Sequence, residues 1–304
     1  MPASAGYVRG VRRRDTIVGL GAALLVPGCA SNSNNDKDEF IGIGQVGNSS
    51  EPPPGVFRPI AEGDLAGIQK RGAMLFNLQR ALRLGYEQGA QSVGTAEGDI
   101  ILPLVDVDPG GRSAQALFVR WSRDRVGVDG NLHPKYAKRW LLVSLMLEPE
   151  RVLDRELLAG DVGEDTVEFH RIAAMLASAK ALQARAPDTS FHLFTVAELA
   201  PGKSRRRSSI IATRVYAMGV AQDGPDYEVL VDEAKKSKIP EVLNISEVHA
   251  PGAIEGDRIR VPAPQPAPAS IARIMSRGTS GPAEVESASG LWLVDGRTGL
   301  VSRP

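Results

Sequence analysis

The sequence has a single cysteine, Cys29, among its 304 residues, so no disulfide bond can form within the chain. Aromatic residues make up only 5% of the chain, while glycine and proline number 32 and 21, which together predict a modest core with long connections. Basic and acidic residues are equal in number, at 36 each. A chain without a basic excess is not expected to bind nucleic acid.

Long apolar runs and catalytic motifs are also lacking. The apolar stretch 16–26 has eleven residues, whereas a membrane-spanning helix needs about 20. The sequence contains no Gly-x-Ser-x-Gly elbow, no Walker motif, no Gly-x-Gly-x-x-Gly after a strand and no Cys-x-x-Cys-His. Its four histidines, at 133, 170, 192 and 249, are scattered. No local motif therefore fixes a reaction, a cofactor or a metal.

What the sequence does contain is an ordered pattern of basic, apolar and small residues in the first thirty positions. Arg13 and Arg14 lie in a basic front segment, the apolar stretch 16–26 follows, and Val26-Pro27-Gly28-Cys29 closes the pattern. This tetrapeptide resembles the lipobox of bacterial lipoprotein precursors, in which the cysteine sulfur receives the diacylglycerol. The resemblance implies that residues 1–28 are a signal peptide and that Cys29 carries palmitate-type acyl chains on the membrane. The alternative is a free, buried cysteine.

The basic segment carries a second resemblance. Arg13-Arg14-Asp15-Thr16-Ile17-Val18 is similar to the twin-arginine (Tat) signal, although Thr16 and Val18 depart from the preferred residues. That route exports folded proteins, some with cofactors inserted beforehand; the alternative is a Sec signal with a basic front. Ala30 and Ser31, rather than Asp, follow the cysteine. This pattern is similar to that of outer-membrane lipoproteins facing the periplasm.

After the cysteine, the composition predicts a tether, a domain, a linker and a hairpin. The tether, residues 29–58, is polar and contains Pro52-Pro53-Pro54, so it buries too little apolar area to fold. Residues 59–250 form the predicted domain. A Pro/Gly/Ser-rich linker, residues 251–289, includes the stiff spacer 262–268 and a short helical turn predicted at 270–276. Residues 290–304 form a predicted hairpin around the turn 295–299.

Within the domain, the hydrophobic periodicity predicts two main helices and a largely antiparallel sheet, an α+β fold. The first helix, Asp64 to Ala90, has an apolar stripe that includes Leu75 and Leu78, with Arg71 and other charged residues mostly elsewhere. The second starts at a capping Asp165, with Glu168 bonding back, and ends before Pro187. Strands are predicted at 100–107, 114–121, 140–147, 151–158, 191–196, 209–220, 227–231 and 241–248.

Few residues are candidates for chemistry. Glu247 and His249 share one face of the predicted strand, which makes them the one geometrically possible acid–base or metal pair. The alternative is an exposed salt bridge. Asp106 and Asp108 resemble a calcium loop faintly and favour a turn instead. The basic cluster 203–207 indicates a solvated loop or a contact with an anionic surface. The three tryptophans indicate core or a ligand groove.

Two functions remain open at this level. The first is a lipid-anchored, non-enzymatic envelope protein that binds or scaffolds a protein partner without a cofactor. The second is an exported cofactor- or metal-dependent enzyme, with its site around Glu247 and His249. The anchor, the tether and the lack of catalytic motifs favour the first.

Overall fold

The computed structural model describes residues 56–94, 99–122, 132–199, 211–221, 223–232, 240–250, 253–255, 258–278 and 281–304. These ranges contain three helices longer than one turn: α1 (Leu65–Leu84), α2 (Val167–Arg185) and α3 (Pro268–Arg277). Shorter helical turns occupy Gly85–Ala90, Gln91–Val93 and Pro134–Tyr136. The strands are β1 (Ile100–Val107), β2 (Ser113–Trp121), β3 (Lys138–Leu147), β4 (Glu150–Leu157), β5 (Phe191–Leu199), β6 (Ile211–Gly219), β7 (Asp226–Val231), β8 (Val242–His249), β9 (Ile254–Glu255), β10 (Arg258–Arg260), β11 (Pro282–Ser287), β12 (Gly290–Asp295) and β13 (Val301–Ser302).

The strands form three sheets, which confirms the α+β prediction. The first sheet has the order β1-β2-β3-β4 and the second has the order β5-β6-β7-β8. The C-terminal sheet has the order β13-β12-β11-β10-β9. Among these strand pairs, all but β10–β11 are antiparallel. The sequence predicted a single largely antiparallel sheet within residues 59–250, and the structure divides those strands into two sheets. The third sheet comes from the predicted linker and hairpin.

Helix α1 begins where Asp64 accepts a hydrogen bond from the Gly67 backbone N–H at 2.9 Å, as an N-cap residue does. The helix continues through a π-helical turn at Gly85–Ala90, so the predicted helix from Asp64 to Ala90 is confirmed. Gly72 allows the closest approach to another helix. A Cβ built there would lie 2.6 Å from Cβ of Ile271 in α3, a distance that real Cβ atoms do not tolerate.

The turn between β1 and β2 uses Asp108 as its internal acceptor. Its carboxylate accepts hydrogen bonds from the backbone N–H groups of Gly110 and Ser113. Although partial burial opposes ionisation, these backbone donors hold the pKa of Asp108 below its usual value. Asp106, two residues before, instead pairs with Arg171 of α2 at 3.0 Å. The two carboxylates bind different partners. This fits the predicted turn, whereas a calcium loop would direct both carboxylates to one ion.

The strand Lys138–Leu147 and the start of α2 differ from their predictions. The nearly continuous apolar run 140–147 predicts a strand buried on both faces, but only one face is fully buried, and Leu142, Ser144 and Met146 on the other are half-buried. Helix α2 is capped by Thr166 rather than Asp165, because the Thr166 hydroxyl accepts from the Phe169 backbone N–H at 3.2 Å. Glu168 does not bond back; it pairs with Arg139 at 3.2 Å.

Strands β5, β6 and β7 of the second sheet are largely buried on both faces because the two faces belong to different cores, whereas β8 is mostly exposed. One core contains the inner stripe of α1, the covered face of the first sheet, and residues such as Phe194 and Met218 of the second sheet. The other contains α2, parts of β1 and β2, and residues such as Leu193 and Val215. A third core joins α1, α3 and the C-terminal sheet through Ile68 and its neighbours. All three tryptophans are buried in these cores, as the core interpretation predicted.

The predicted linker 251–289 contains regular structure, namely β9, β10, α3 and the whole of β11. The prolines gave this segment the composition of a linker. Pro268 nevertheless takes the first position of α3, where a missing backbone N–H does not weaken the helix. Buried Ile259, Ile271 and Val285 give the segment its own apolar content. The predicted hairpin is present as β12 and β13, with Asp295 accepting the turn's backbone N–H groups.

The last residues of the predicted tether lie on the second sheet. Phe57 forms a parallel bridge with Glu198, and its backbone N–H donates to Ala197 O at 2.9 Å. Pro59 has no N–H to continue such a ladder, and the prolines at 52–54 have none either. Among the described residues the contact is a single bridge, two residues before the predicted domain boundary.

Candidate functional site

The residues predicted to act in export and anchoring, Arg13, Arg14 and Cys29, lie outside the described residues, as does the basic cluster 203–207. Within the described ranges, no helix is long and apolar enough to cross a membrane. The same ranges contain no group of three or more His, Cys, Asp or Glu residues placed to hold a metal ion.

The site that the structure does assemble is the face of the second sheet against α1 and α3. Because side chains alternate along a strand, cross-strand partners share a face. Tyr216 pairs with Glu228, and Asp226 pairs with His249. We call this face the charged face, after the linked polar or ionisable side chains that it carries: Glu198, Arg214, Tyr216, Asp226, Glu228 and His249. His192, Asn244 and Ser246 lie on the same face. Helix α1 adds Arg71 to it and α3 adds Arg273.

The first group on this face, the Glu198 cluster, is built around one fully buried carboxylate. One oxygen of Glu198 accepts from Arg71 Nη1, and the other accepts from Arg214 Nε at 2.8 Å. Arg71 Nη1 also donates to the Tyr216 hydroxyl at 3.1 Å, and Arg214 Nη1 donates to Glu228 Oε2 at 3.0 Å. Two arginines thus face two glutamates, so the cluster is balanced in charge when all four are ionised.

Burial shapes the ionisation of this cluster. It raises the pKa of the Tyr216 phenol well above its usual value, and the negative charge of Glu228 adds to the effect. Burial also raises the pKa of Glu228, although Arg214 and Arg71 oppose the shift. Tyr216 therefore stays a neutral hydroxyl that accepts from Arg71, and its role is that of a hydrogen-bond partner.

The second group, the Asp226 cluster, ties α3 to the second sheet. Arg273 donates Nε to Asp226 Oδ2 at 2.9 Å and Nη2 to Asp226 Oδ1. The same guanidinium donates to the carbonyl oxygens of Ala221 at 3.0 Å and Gly219 at 2.8 Å. The Gly219 backbone N–H donates to Asp226 Oδ1 at 2.9 Å. Such a bidentate Arg–carboxylate pair fixes both partners in position.

His249 completes the Asp226 cluster. Its side chain is 0% exposed, and its Nε2 lies 3.2 Å from Asp226 Oδ2. Neither ring nitrogen makes a hydrogen bond to a described residue. Burial lowers the pKa of His249 and outweighs the opposing effect of the Asp226 carboxylate; Arg273 and Arg277 lower it further. The imidazole is therefore held neutral beside an ion pair.

The predicted pair of Glu247 and His249 is separated by a β-bulge. Asp226 pairs with His249, but the next residue, Tyr227, pairs with Glu247, so Val248 is the extra residue. The bulge reverses the alternation, and Glu247 lies exposed on the other face while His249 is buried. The shared-face prediction for these two residues was wrong. The partner of His249 is Asp226 instead.

The sequence analysis did not identify Arg71 and Arg273, which complete the charged face. The two arginines differ in how clear a signal the sequence gave that they are buried. Arg71 is three residues after Ile68 and four before Leu75, so it lies on the apolar stripe of α1 and is 5% exposed. A charge on an apolar stripe indicates a buried partner, and this signal was present. Arg273 gave a weaker signal, because only a short helical turn was predicted at 270–276 and an apolar stripe cannot be recognised over so few residues.

The arrangement is suited to holding elements together. Each long helix places one buried arginine against a sheet carboxylate: Arg71 on Glu198, Arg171 on Asp106 and Arg273 on Asp226. Glu198 and Asp226 are fully buried, so breaking either of their pairs leaves an uncompensated charge, which costs several kcal/mol. Asp106 is 37% exposed, so the pair with Arg171 holds α2 less strongly.

Comparison with known proteins finds no matching family model, no matching curated protein and no matching solved structure.

Proposed function

We propose that this chain is a lipid-anchored protein of the bacterial cell envelope that binds or scaffolds a protein partner and catalyses no reaction. The observation that carries the proposal is Val26-Pro27-Gly28-Cys29, where the only cysteine of the chain follows a basic and then an apolar segment. A thiol at this place is the nucleophile that lipidation requires. Two or three acyl chains hold a protein on a membrane firmly, whereas one chain does so only marginally.

The position of Phe57 supports the division between tether and folded region. Phe57 is bound to β5 only 28 positions after Cys29, and Arg71 stacks over its ring at 5.1 Å. As a flexible coil, a segment of this length reaches roughly 30 Å. The folded region would then stand at about that distance from the membrane, within reach of a partner in the envelope.

The non-enzymatic part of the proposal is supported by how the charged face is used. Its arginines and carboxylates bind one another, and Glu198, Asp226 and His249 are each 0% exposed. The enzyme alternative named Glu247 and His249 as its site, and the bulge that separates these residues removes the support for that pair. The resemblance to a twin-arginine signal is the remaining support for the enzyme alternative.

The anchor is tested by expressing the full chain in a Gram-negative host and comparing it with Cys29→Ser. The wild-type chain is expected in the membrane fraction, with a mass that corresponds to residues 29–304 plus a diacylglyceryl group. Cys29→Ser is expected to lose both the lipid and the processing, while the matched variant Ser33→Ala keeps them. An unchanged mass and fraction for Cys29→Ser would contradict the anchor.

Two additions to this experiment separate the remaining alternatives. Exchange of Arg13 and Arg14 for lysine keeps the charge but blocks twin-arginine export, so a chain that still reaches the envelope uses the Sec route; Arg9→Lys is the control. Native mass spectrometry of the lipidated protein in mild detergent then tests the partner. A stoichiometric second polypeptide supports the scaffold, whereas a bound metal or cofactor mass overturns it in favour of the enzyme.

A further inference from the structure

The C-terminal sheet is connected to the second sheet through helix α3. On one side α3 packs on the C-terminal strands in the third core, through Ile271, Ile274 and Met275. On the other side its Ala269 and Ala272 enter the core that contains β5 and β6. Between them, Arg273 reaches into the second sheet and binds Asp226 and three backbone carbonyls. We call the pair of Arg273 and Asp226 the clamp.

His249 touches the clamp from the edge strand β8. Its Nε2 is 3.2 Å from the Asp226 oxygen that Arg273 Nε binds, and its Nδ1 makes no hydrogen bond to a described residue. Asp226 already accepts hydrogen bonds from Arg273 and from the Gly219 backbone N–H. The carboxylate is thus fully used by the clamp while the imidazole is neutral.

We propose that His249 is a proton-operated release for the clamp, so that acidification frees α3 and the C-terminal sheet from the second sheet. This inference goes beyond the proposed function and does not depend on the lipid anchor. It requires only that the proton-binding group be buried against the ion pair that holds α3.

The charges around His249 determine the direction of the effect. Asp226 faces it from β7, and Arg273 and Arg277 act on it from α3. Asp226 and Arg273 neutralise each other, so a protonated His249 would add an uncompensated positive charge at a site with no exposure to solvent. Glu247 lies on the opposite face of β8 and does not compensate this charge.

The sign follows from linkage. The folded state binds the proton of His249 less readily than an opened or unfolded state, in which the pKa returns to about 6.5. The clamp therefore keeps its full stability above pH 6.5. It loses stability as the pH falls from 6.5 towards the lowered pKa of the folded state, and the opened form then gains population.

Hydrogen exchange of the full chain, measured by mass spectrometry between pH 5 and 8, tests the release. The exchange rate of α3 peptides is divided by that of α2 peptides, because the ratio cancels the intrinsic pH dependence of amide exchange. As the pH falls from 6.5 to the pKa of His249 in the folded state, the ratio is expected to rise about tenfold for each pH unit. A ratio that does not change with pH would overturn the proposal.

Three variants assign the effect to the clamp. His249→Gln is expected to give a ratio independent of pH, whereas His192→Gln, in the same cross-strand row as Met218 and Asp226, keeps the wild-type response. Arg273→Gln is expected to show the fast α3 exchange already at pH 7.5. A wild-type response in His249→Gln, or a protected α3 in Arg273→Gln, would contradict the release.

If His249→Gln does not fold, an NMR titration of the four imidazoles in the wild-type chain replaces it. The variants His133→Gln, His170→Gln and His192→Gln each remove one resonance and leave His249 to be assigned by elimination. The His249 resonance is expected to titrate below pH 6.5. Titration at 6.5 or above would overturn the proposal.

Discussion

The Glu198 cluster and the Asp226 cluster lie on the same face of one sheet, and they solve the problem of buried charge in different ways. The Glu198 cluster balances two arginines with two glutamates and places a neutral phenol beside them. The Asp226 cluster has one carboxylate and one arginine and uses backbone carbonyls and an N–H for the remaining hydrogen bonds. Its third ionisable member, His249, is kept neutral by burial.

This difference teaches that two clusters of buried charge on one face of a sheet can respond to acid in opposite directions. In the Glu198 cluster, the pKa of Glu228 is raised by burial, so acid favours the folded form of that carboxyl. In the Asp226 cluster, the lowered pKa of His249 makes acid unfavourable. As the pH falls, the Glu198 cluster therefore gains stability and the Asp226 cluster loses it.

The largest effect is expected from Glu198→Ala, which would break the balance of the first cluster. Arg71 and Arg214 would keep their charges in a buried site without the shared carboxylate. We expect a loss of about 3–5 kcal/mol in the free energy of unfolding. Urea unfolding followed by circular dichroism measures it.

The control for this change is Glu284→Ala, which removes one partner of the exposed pair Arg258–Glu284. An exposed pair contributes about 0–1 kcal/mol, so the midpoint of unfolding should move little. Equal losses of stability in the two variants would contradict the prediction that a buried carboxylate contributes more to the free energy of unfolding than an exposed one.

A smaller effect is expected from Tyr216→Phe, which keeps the ring and removes the hydroxyl that accepts from Arg71. We expect a loss of about 1 kcal/mol, because Arg71 retains Glu198 and the Arg58 carbonyl as partners. Tyr227→Phe serves as a comparison, since Tyr227 bonds the exposed Glu247, where water can replace it. A larger loss at Tyr227 than at Tyr216 would contradict the assignment.

The smallest effect, and the sharpest test of the comparison, is a change in pH dependence. Glu228→Gln imitates the protonated carboxyl at every pH, so its stability relative to wild type should increase as the pH rises above 4.5. His249→Gln should gain relative to wild type as the pH falls below 6.5. Urea midpoints between pH 4 and 8 measure both trends. Two trends of the same sign would show that the clusters do not differ in this respect.

Much of the fold was predictable, because local periodicity determined it. The Leu75, Leu78 and Leu82 spacing placed α1, and the alternation and turns around Asp108 placed β1 and β2. The partners of the charged face were not predictable in this way. Arg71 binds a carboxylate 127 positions away, and the orientation of His249 depends on a bulge that exists only because β8 pairs with β7.

The C-terminal region shows the converse limit. Its prolines and glycines gave the composition of a linker, although Ile259, Ile271 and Val285 are fully buried. Their side chains share a core with Ile68 of α1. The sequence of the C-terminal region alone does not show that α1 supplies this partner.

The contact of Phe57 with the second sheet has a mechanical consequence. If the chain is held at Cys29, a pull on the domain is transmitted first to the bridge between Phe57 and Glu198, and then to Arg71, whose guanidinium covers the Phe57 ring and binds the Arg58 carbonyl. Arg71 in turn lies on α1 and binds β5, so the load enters the molecule where a helix and a sheet are joined. A force strong enough to free residue 57 would be felt at Glu198, and tension on the tether would be coupled to the stability of the charged face.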